Sequence, residues 1–310
     1  FPTYAQAPGD LRVALVIGNA AYSGKALLAN PVNDAKAMSD ALRKLGFMVV
    51  EVRDGSKLQI ADAISRVREI LKGKQAIGLF YYAGHGLQLD WSNYMVPVDA
   101  KIANASDVAG QTVDVSQVTD AFKAAGNRMN IVILDACRNN PFSGSAAGRG
   151  LAQIDAPSGT FLAYATAPGN VAEDGGTQSE NGLYTQFLLQ ELKKPASKIE
   201  DVFKRTRLNV RIASLGRQIP WESTSLEEDF YFRKPSAAML SAELTESQFQ
   251  RQLARWTSIQ ESNDTNLLLA FLIEYPSGSF TELAQFRYDR LSKEQMSAAD
   301  KLALESIVAN

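Results

Sequence analysis

One histidine, one cysteine and three tryptophans are all that the 310 residues hold of those types. A single cysteine excludes an internal disulfide and any zinc site built on paired cysteines. Charge of one sign is not in excess either: 32 basic residues against 34 acidic ones leave a formal net charge of -2. No long block of like charge occurs, so nothing marks a nucleic-acid or membrane-surface patch, and no nucleic-acid partner is expected. Long apolar runs are missing too; N-L-L-L-A-F-L-I, from Asn266, falls well short of the roughly 20 residues of a membrane helix, and no membrane span is expected. The stretch V-I-G-N-A-A-Y-S-G lacks the G-x-G-x-x-G fingerprint and no phosphate-loop lysine is seen, so a nucleotide-binding domain is poorly supported. At the N-terminus, Ala5-Gln6-Ala7 has the small-x-small form of a signal-peptidase site. Pro8 is a poor residue after such a cut and the charged and apolar regions that should precede it are absent, so an exported, periplasmic location and a cytoplasmic one both stay open.

What is present is a core-forming chain, 45% hydrophobic and 21% charged, with a length that suggests about two domains. L-R-V-A-L-V-I-G, 11 to 18, is a continuous apolar, β-branched run that suits a strand covered on both faces. Residues 30 to 46 place Ala35, Met38, Ala41, Leu42 and Leu45 at helical spacing, ended by Gly46, and F-M-V-V-E-V gives a second strand. Residues 57 to 72 predict a further helix, and A-I-G-L-F-Y-Y-A, 76 to 83, a third strand. L-Q-L-D-W-S-N-Y-M-V-P-V-D has the pattern of a hairpin. A helix capped by Asp114 and ended by Gly126 leads to a fourth strand, M-N-I-V-I-L-D-A, 129 to 136. A Gly/Ser/Ala-rich loop, a fifth strand in G-T-F-L-A-Y-A-T-A, helices near 182 to 193 and 198 to 214, and an aromatic D-F-Y-F segment follow. Strand and helix in alternation imply an α/β fold with a mostly parallel sheet and helices on both faces. Beyond R-K-P-S, 233 to 236, only amphipathic helical patterns remain, with Phe249, Leu253, Trp256 and Ile259, then Leu268, Phe271 and Leu272, on their apolar faces. The expected organisation is therefore a tail over 1 to 10, a principal domain over 11 to 235 and a helical region over 236 to 310.

The two scarce residues occupy matching places. His85 follows the third strand in Y-Y-A-G-H-G, and Cys137 follows the fourth in D-A-C-R-N. Loops at the carboxyl ends of parallel strands gather on one sheet edge, where ligand chemistry is found. If the two strands are neighbours, an imidazole stands beside a thiol, able to lower its pKa and to hand a proton to a leaving amine. The N-H groups of Gly86 and Cys137 are candidate donors to a developing oxyanion, and the glycines around His85 would let a substrate backbone come close.

These residues also carry a resemblance. Y-Y-A-G-H-G and D-A-C-R-N, with His85 and Cys137 52 residues apart, resemble the His and Cys motifs of caspase-like cysteine peptidases, whose spacing is about 50. The match is closer to metacaspases and other prokaryotic caspase-like proteins, and A-L-V-I-G-N, P-V-N-D-A, N-Y-M-V-P-V-D-A and F-L-A-Y-A-T-A-P-G agree with bacterial members. The resemblance covers roughly residues 10 to 233. It implies a caspase-hemoglobinase fold, a mostly parallel six-stranded sheet flanked by helices, here with a small C-terminal helical appendage. It further implies a cysteine endopeptidase with Cys137 as nucleophile, His85 as general acid/base and Gly86 in the oxyanion hole. Asp34 and Asp135 would then form an S1 pocket that selects Arg or Lys, since paired carboxylates match a guanidinium. The expected partners are protein or peptide substrates with a basic P1 residue. Related peptidases are often processed in the loop after the cysteine, which makes Arg149 a candidate self-cleavage point. Many metacaspases need calcium, but the loop between Cys137 and Asp155 holds no carboxylate; this counts against calcium activation, and no metal site or required cofactor is expected. The alternative is a catalytically silent scaffold that uses the fold to bind partners. The helical tail, similar to appendages of bacterial caspase-like proteins, would pack on the catalytic domain or bind a protein partner.

Overall fold

The computed structural model describes residues 11–137, 151, 155–167, 180–194, 197–233 and 246–308, and the chain divides into two compact units after Arg233. In the first unit β1 (Arg12–Gly18), β2 (Met48–Arg53), β3 (Ile77–Leu89), β6 (Met129–Cys137), β7 (Thr160–Tyr164) and β8 (Trp221–Thr224) form a sheet in the order β2-β1-β3-β6-β7-β8. The first five run parallel and β8 pairs antiparallel with β7. Two short strands, β4 (Ser92–Met95) and β5 (Val113–Asp114), sit off this path, β4 antiparallel to the end of β3 and β5 antiparallel to β4.

The near-continuous apolar character of the strands follows from burial on both faces. Ala14 and Val16 of β1, Leu79 and Tyr81 of β3, and Ile131 and Ile133 of β6 share one core with α1 (Pro31–Lys44), α5 (Leu183–Lys193) and α6 (Ile199–Ala213). The alternate residues Val13, Leu15 and Ile17, Phe80 and Tyr82, and Val132 and Leu134 face a second core with α2 (Lys57–Leu71) and α4 (Ser116–Ala125). A short helix, α3 (Val108–Gln111), precedes β5.

Local chemistry sets the helix ends. α1 starts on Pro31, whose missing N-H costs nothing there. α2 is closed by a reciprocal box between Ser56 and Gln59. α4 stops where Gly126 turns left-handed at φ 72°. Asp114 acts one position further out than the sequence suggests: it belongs to β5, Val115 holds the cap position, and the Asp114 carboxylate accepts the Ser116 N-H at 2.7 Å. The D-F-Y-F segment closes the unit, with Tyr231 bridged to Lys198 and the Arg12 guanidinium 5.1 Å from the Phe230 ring while donating to the carbonyls of Tyr231 and Phe232.

The second unit holds α7 (Glu246–Ile259), α8 (Thr265–Glu274) and α9 (Thr281–Val308). Trp256 packs against Phe271 and stacks on Phe280, over buried Ile259, Leu268, Leu272 and Ala284. The Y-P-S-G-S-F segment separates α8 from α9.

Candidate active site

β3 and β6 are hydrogen-bonded neighbours, and the register ends with His85 opposite Cys137. Paired residues of adjacent strands lie about 5 Å apart at Cα, so one histidine and one cysteine meet although 52 residues separate them. His85 does not follow its strand, as the flanking glycines suggest, but lies inside it. The reason is that β3 runs on past the central sheet and pairs with β4 through Gly86 to Leu89. Cys137 is the last residue of β6.

The glycines beside His85 also have a different use from the one expected. Gly84 sits at φ 152°, and a Cβ there would stand 2.8 Å from the hydroxyls of both Tyr22 and Tyr82. A Cβ on Gly86 would lie 2.9 Å from Leu151 Cδ2 and 3.1 Å from Ala136 Cβ. Both glycines make room for the protein's own side chains. The Gly86 N-H has a defined direction: Asn19 N-H donates to Ala83 O on the β1 side, and Val96 N-H donates to His85 O on that same side. Carbonyl and N-H groups alternate in direction along a strand, so Gly86 presents its N-H on the β6 side, where Cys137 ends its strand.

His85 is buried, and its Nε2 lies 2.6 Å from the carbonyl oxygen of Ala26. A carbonyl only accepts, so Nε2 carries the hydrogen and the lone pair of the neutral ring is on Nδ1. The backbone of His85 is held as tightly: its carbonyl accepts from Tyr82 Oη at 2.6 Å and from Val96 N-H at 3.0 Å.

Asp34 and Asp135 come together on the α1 and α5 side of the sheet. Asp34 lies in the first turn of α1 and is buried, and its carboxylate reaches across to the start of α5. Oδ1 accepts from the Gly182 N-H at 3.0 Å and from Asn181 Nδ2 at 2.9 Å, at the start of α5. Asp135 Oδ2 accepts from Thr185 Oγ1 at 2.7 Å and from Tyr81 Oη at 3.4 Å. Both carboxylates converge on one point: a Cβ added to Gly182 would be 3.1 Å from Asp34 Oδ2 and 4.0 Å from Asp135 Oδ2. The concentration of negative charge is felt nearby. Burial, then Asp135, then Asp34 hold the Tyr81 phenol well above its ordinary titration range, against the hydrogen bond with Thr185. Burial, then Asp135 and Glu222 do the same to Tyr184, partly offset by Arg207.

The structure thus gathers His85, Gly86 and Cys137 at one strand pair and Asp34 and Asp135 at the start of α5, whereas Arg149 lies outside the described residues. Among the described residues no cluster of three or more His, Cys, Asp or Glu side chains could hold a metal ion. Tyr22, Ala26, Tyr82, Asn181, Gly182 and Thr185 are absent from the sequence reading of the site. Only Tyr82, inside Y-Y-A-G-H-G, had a signal there; Ala26 acts through its backbone, and the α5 residues sit in a segment that reads as a plain helix start.

Three comparisons place this geometry among known proteins. A family model, the caspase domain of peptidase family C14, matches residues 11–231. The mucosa-associated lymphoid tissue lymphoma translocation protein 1 homolog of Mus musculus is 30% identical over 183 residues, 58% of this chain and 21% of its own length. The Homo sapiens protein of that name is also 30% identical over 183 residues, with 22% of it covered. This chain therefore spans about a fifth of the length of either relative. The crystal structure of the Drosophila initiator caspase Dronc superposes with a TM-score of 0.50 at 17% identity, covering 71% of this chain and 82% of that one. It shares the caspase-like fold, a mostly parallel sheet flanked by helices. The chain belongs to the caspase-domain family of peptidases.

Proposed function

We propose that the chain is a cysteine endopeptidase of the metacaspase type, cleaving protein or peptide substrates after Arg or Lys. The observation that carries this reading is the register of β3 and β6, which sets His85 opposite Cys137. Nδ1 of the His85 ring takes the thiol proton, and the Cys137 thiolate attacks the scissile carbonyl, forming the S-C bond. The oxyanion is held by the Gly86 and Cys137 N-H groups. The imidazolium, its Nε2-H anchored on the Ala26 carbonyl, gives its proton to the departing amine as the C-N bond breaks. Water then loses a proton to Nδ1 and attacks the thioester; the acid leaves, and the thiolate recovers the proton. Asp34 and Asp135 receive the P1 cation, and Asn181, Gly182, Thr185 and Tyr81 orient them by the hydrogen bonds described above. No step requires a metal ion.

The test is hydrolysis of matched peptides with P1 Arg, Lys or Asp by wild type and by Cys137→Ala, Asp34→Asn and Asp135→Asn. Cleavage after Arg and Lys alone, lost in Cys137→Ala, is expected. Each Asn variant should lose about 2 to 5 kcal/mol of transition-state binding for P1 Arg, the cost of removing one partner from a buried charged pair. Absence of Cys137-dependent cleavage after a basic residue would end this reading.

A further inference from the structure

We infer that Tyr22 is a positioning residue that fixes the orientation of the His85 imidazole. Its role in turnover rests on the peptidase reading above; its hold on the ring does not. Tyr22 lies in the loop between β1 and α1, which is itself anchored at several points. Asn19 donates its N-H to Ala83 O at 2.9 Å, accepts the Gly55 N-H at 2.9 Å and donates Nδ2 to Val96 O at 3.1 Å. The Asp54 carboxylate accepts the N-H groups of Ala20 at 2.8 Å and Ala21 at 2.9 Å. Leu28 N-H closes the loop on Ala20 O at 3.1 Å.

From that frame the loop reaches His85 in three ways. The Tyr22 ring lies against the imidazole, with centroids 4.4 Å apart and planes inclined by 50°. The Tyr22 hydroxyl accepts the His85 backbone N-H at 3.0 Å and donates to Val96 O at 3.0 Å. Four residues on, the Ala26 carbonyl takes the Nε2-H. A single edge hydrogen bond leaves an imidazole free to swing about the N-H···O axis; an aromatic wall against its face removes that freedom. Gly84 gives independent support, because its Cβ position is filled by the hydroxyls of Tyr22 and Tyr82. The glycine before the histidine is what lets Tyr22 reach the His85 backbone.

The ring and the hydroxyl are separable. Val96 O also accepts from Asn19 Nδ2, so loss of the hydroxyl leaves that carbonyl served; it removes the acceptor of the His85 backbone N-H but keeps an aromatic ring against the imidazole. Tyr22→Phe should therefore keep the orientation of the imidazole at some loss of stability, while Tyr22→Ala, or Tyr22→Leu if the alanine variant fails to fold, should release it. The chain has a single histidine, so the NMR signals of its imidazole carbons and nitrogens report this ring alone, whether or not the protein cleaves anything. The expected result is one set of signals with Nε2-H as the neutral tautomer in wild type and Tyr22→Phe. Averaged or doubled tautomer signals, shifted by loss of the neighbouring ring, are expected in the alanine or leucine variant. Turnover in that variant should fall roughly tenfold to a hundredfold in kcat with KM little changed, as expected for a misplaced catalytic group. One set of signals with the Nε2-H tautomer in the folded ring-less variant, displaced only by the missing ring current, would overturn the inference. Averaged or doubled tautomer signals in that variant, together with a wild type that cleaves no peptide, would uphold it and remove the peptidase reading instead.

Discussion

Gly182 has φ -59° and ψ 150°, a conformation open to any L-residue, so the backbone does not require a glycine there. What excludes a side chain is the space beside the carboxylates: a methyl group would press on Asp34 Oδ2 at 3.1 Å and stand 4.0 Å from Asp135 Oδ2. Gly182→Ala is expected to lower kcat/KM for P1 Arg by about tenfold or more, because displacement of a bound group by a fraction of an ångström is costly. The smaller ammonium of P1 Lys should lose less. Alkylation of Cys137 by iodoacetamide, which needs no P1 cation, should keep its rate. An unchanged Arg-to-Lys ratio would detach Gly182 from specificity. The contrast with what the sequence made legible is physical. His85 and Cys137 stood out because each occurs once, at the end of an apolar run, and Asp34 and Asp135 were marked by motifs that resemble a known family. Gly182 and Asn181 carry no such mark. They reach Asp34 across 148 and 147 residues of chain, and Ala26 reaches His85 across 59; contacts of that range belong to the fold rather than to any local pattern.

At the scale of elements, helix periodicity was the most readable feature, since apolar residues recurring every three to four positions fit one face of a helix and little else. α5 shows its limit. Tyr184, Leu188 and Leu192 are buried as their spacing requires, but so is Glu191, whose charge suggests an exposed face. Glu191 Oε2 accepts from Arg205 Nε of α6 at 2.7 Å, and both side chains are over nine-tenths buried. Lys194 and Asn209 bond the other carboxylate oxygen. Arg205→Ala leaves that carboxylate without its principal counter-ion between two packed helices. It should destabilise the domain by about 3–5 kcal/mol, read as a fall in the urea midpoint. A loss below about 1 kcal/mol would make this pair no stronger than a surface salt bridge. Strands were harder. β3 looked shorter than it is because Gly-His-Gly resembles a turn, when the two glycines in fact admit Tyr22, Tyr82 and Leu151 to a continuing strand. β8, W-E-S-T, is an edge strand of mostly half-exposed residues and has no apolar run to betray it.

The molecule as a whole carries a dependence on alkaline pH built from the same two-sided burial. Tyr81 and Tyr184 lie in the core between the sheet and α1, α5 and α6. Both phenols are held well above the ordinary value of 10.0, first by burial and next by the charge of Asp135. The Tyr184 hydroxyl has no hydrogen-bond partner among the described residues. A raised folded-state value means that the native protein keeps protons that the unfolded chain releases. Below about pH 10 both states hold them and stability is level in pH. As pH rises past that point the unfolded state gains ionised phenolates and the native state cannot, so stability falls progressively toward the native values. The Lys198 ammonium, raised by its hydrogen bond to Asp229, works in the same direction, but the pair is about half exposed and contributes little. The urea midpoint should therefore stay flat from neutral pH to near the ordinary tyrosine range and then drop. In the double variant Tyr81→Phe, Tyr184→Phe the slope above that range should be markedly smaller, whatever the change in stability at neutral pH. Parallel curves for wild type and double variant would show that these two buried phenols do not set the alkaline limit of the fold.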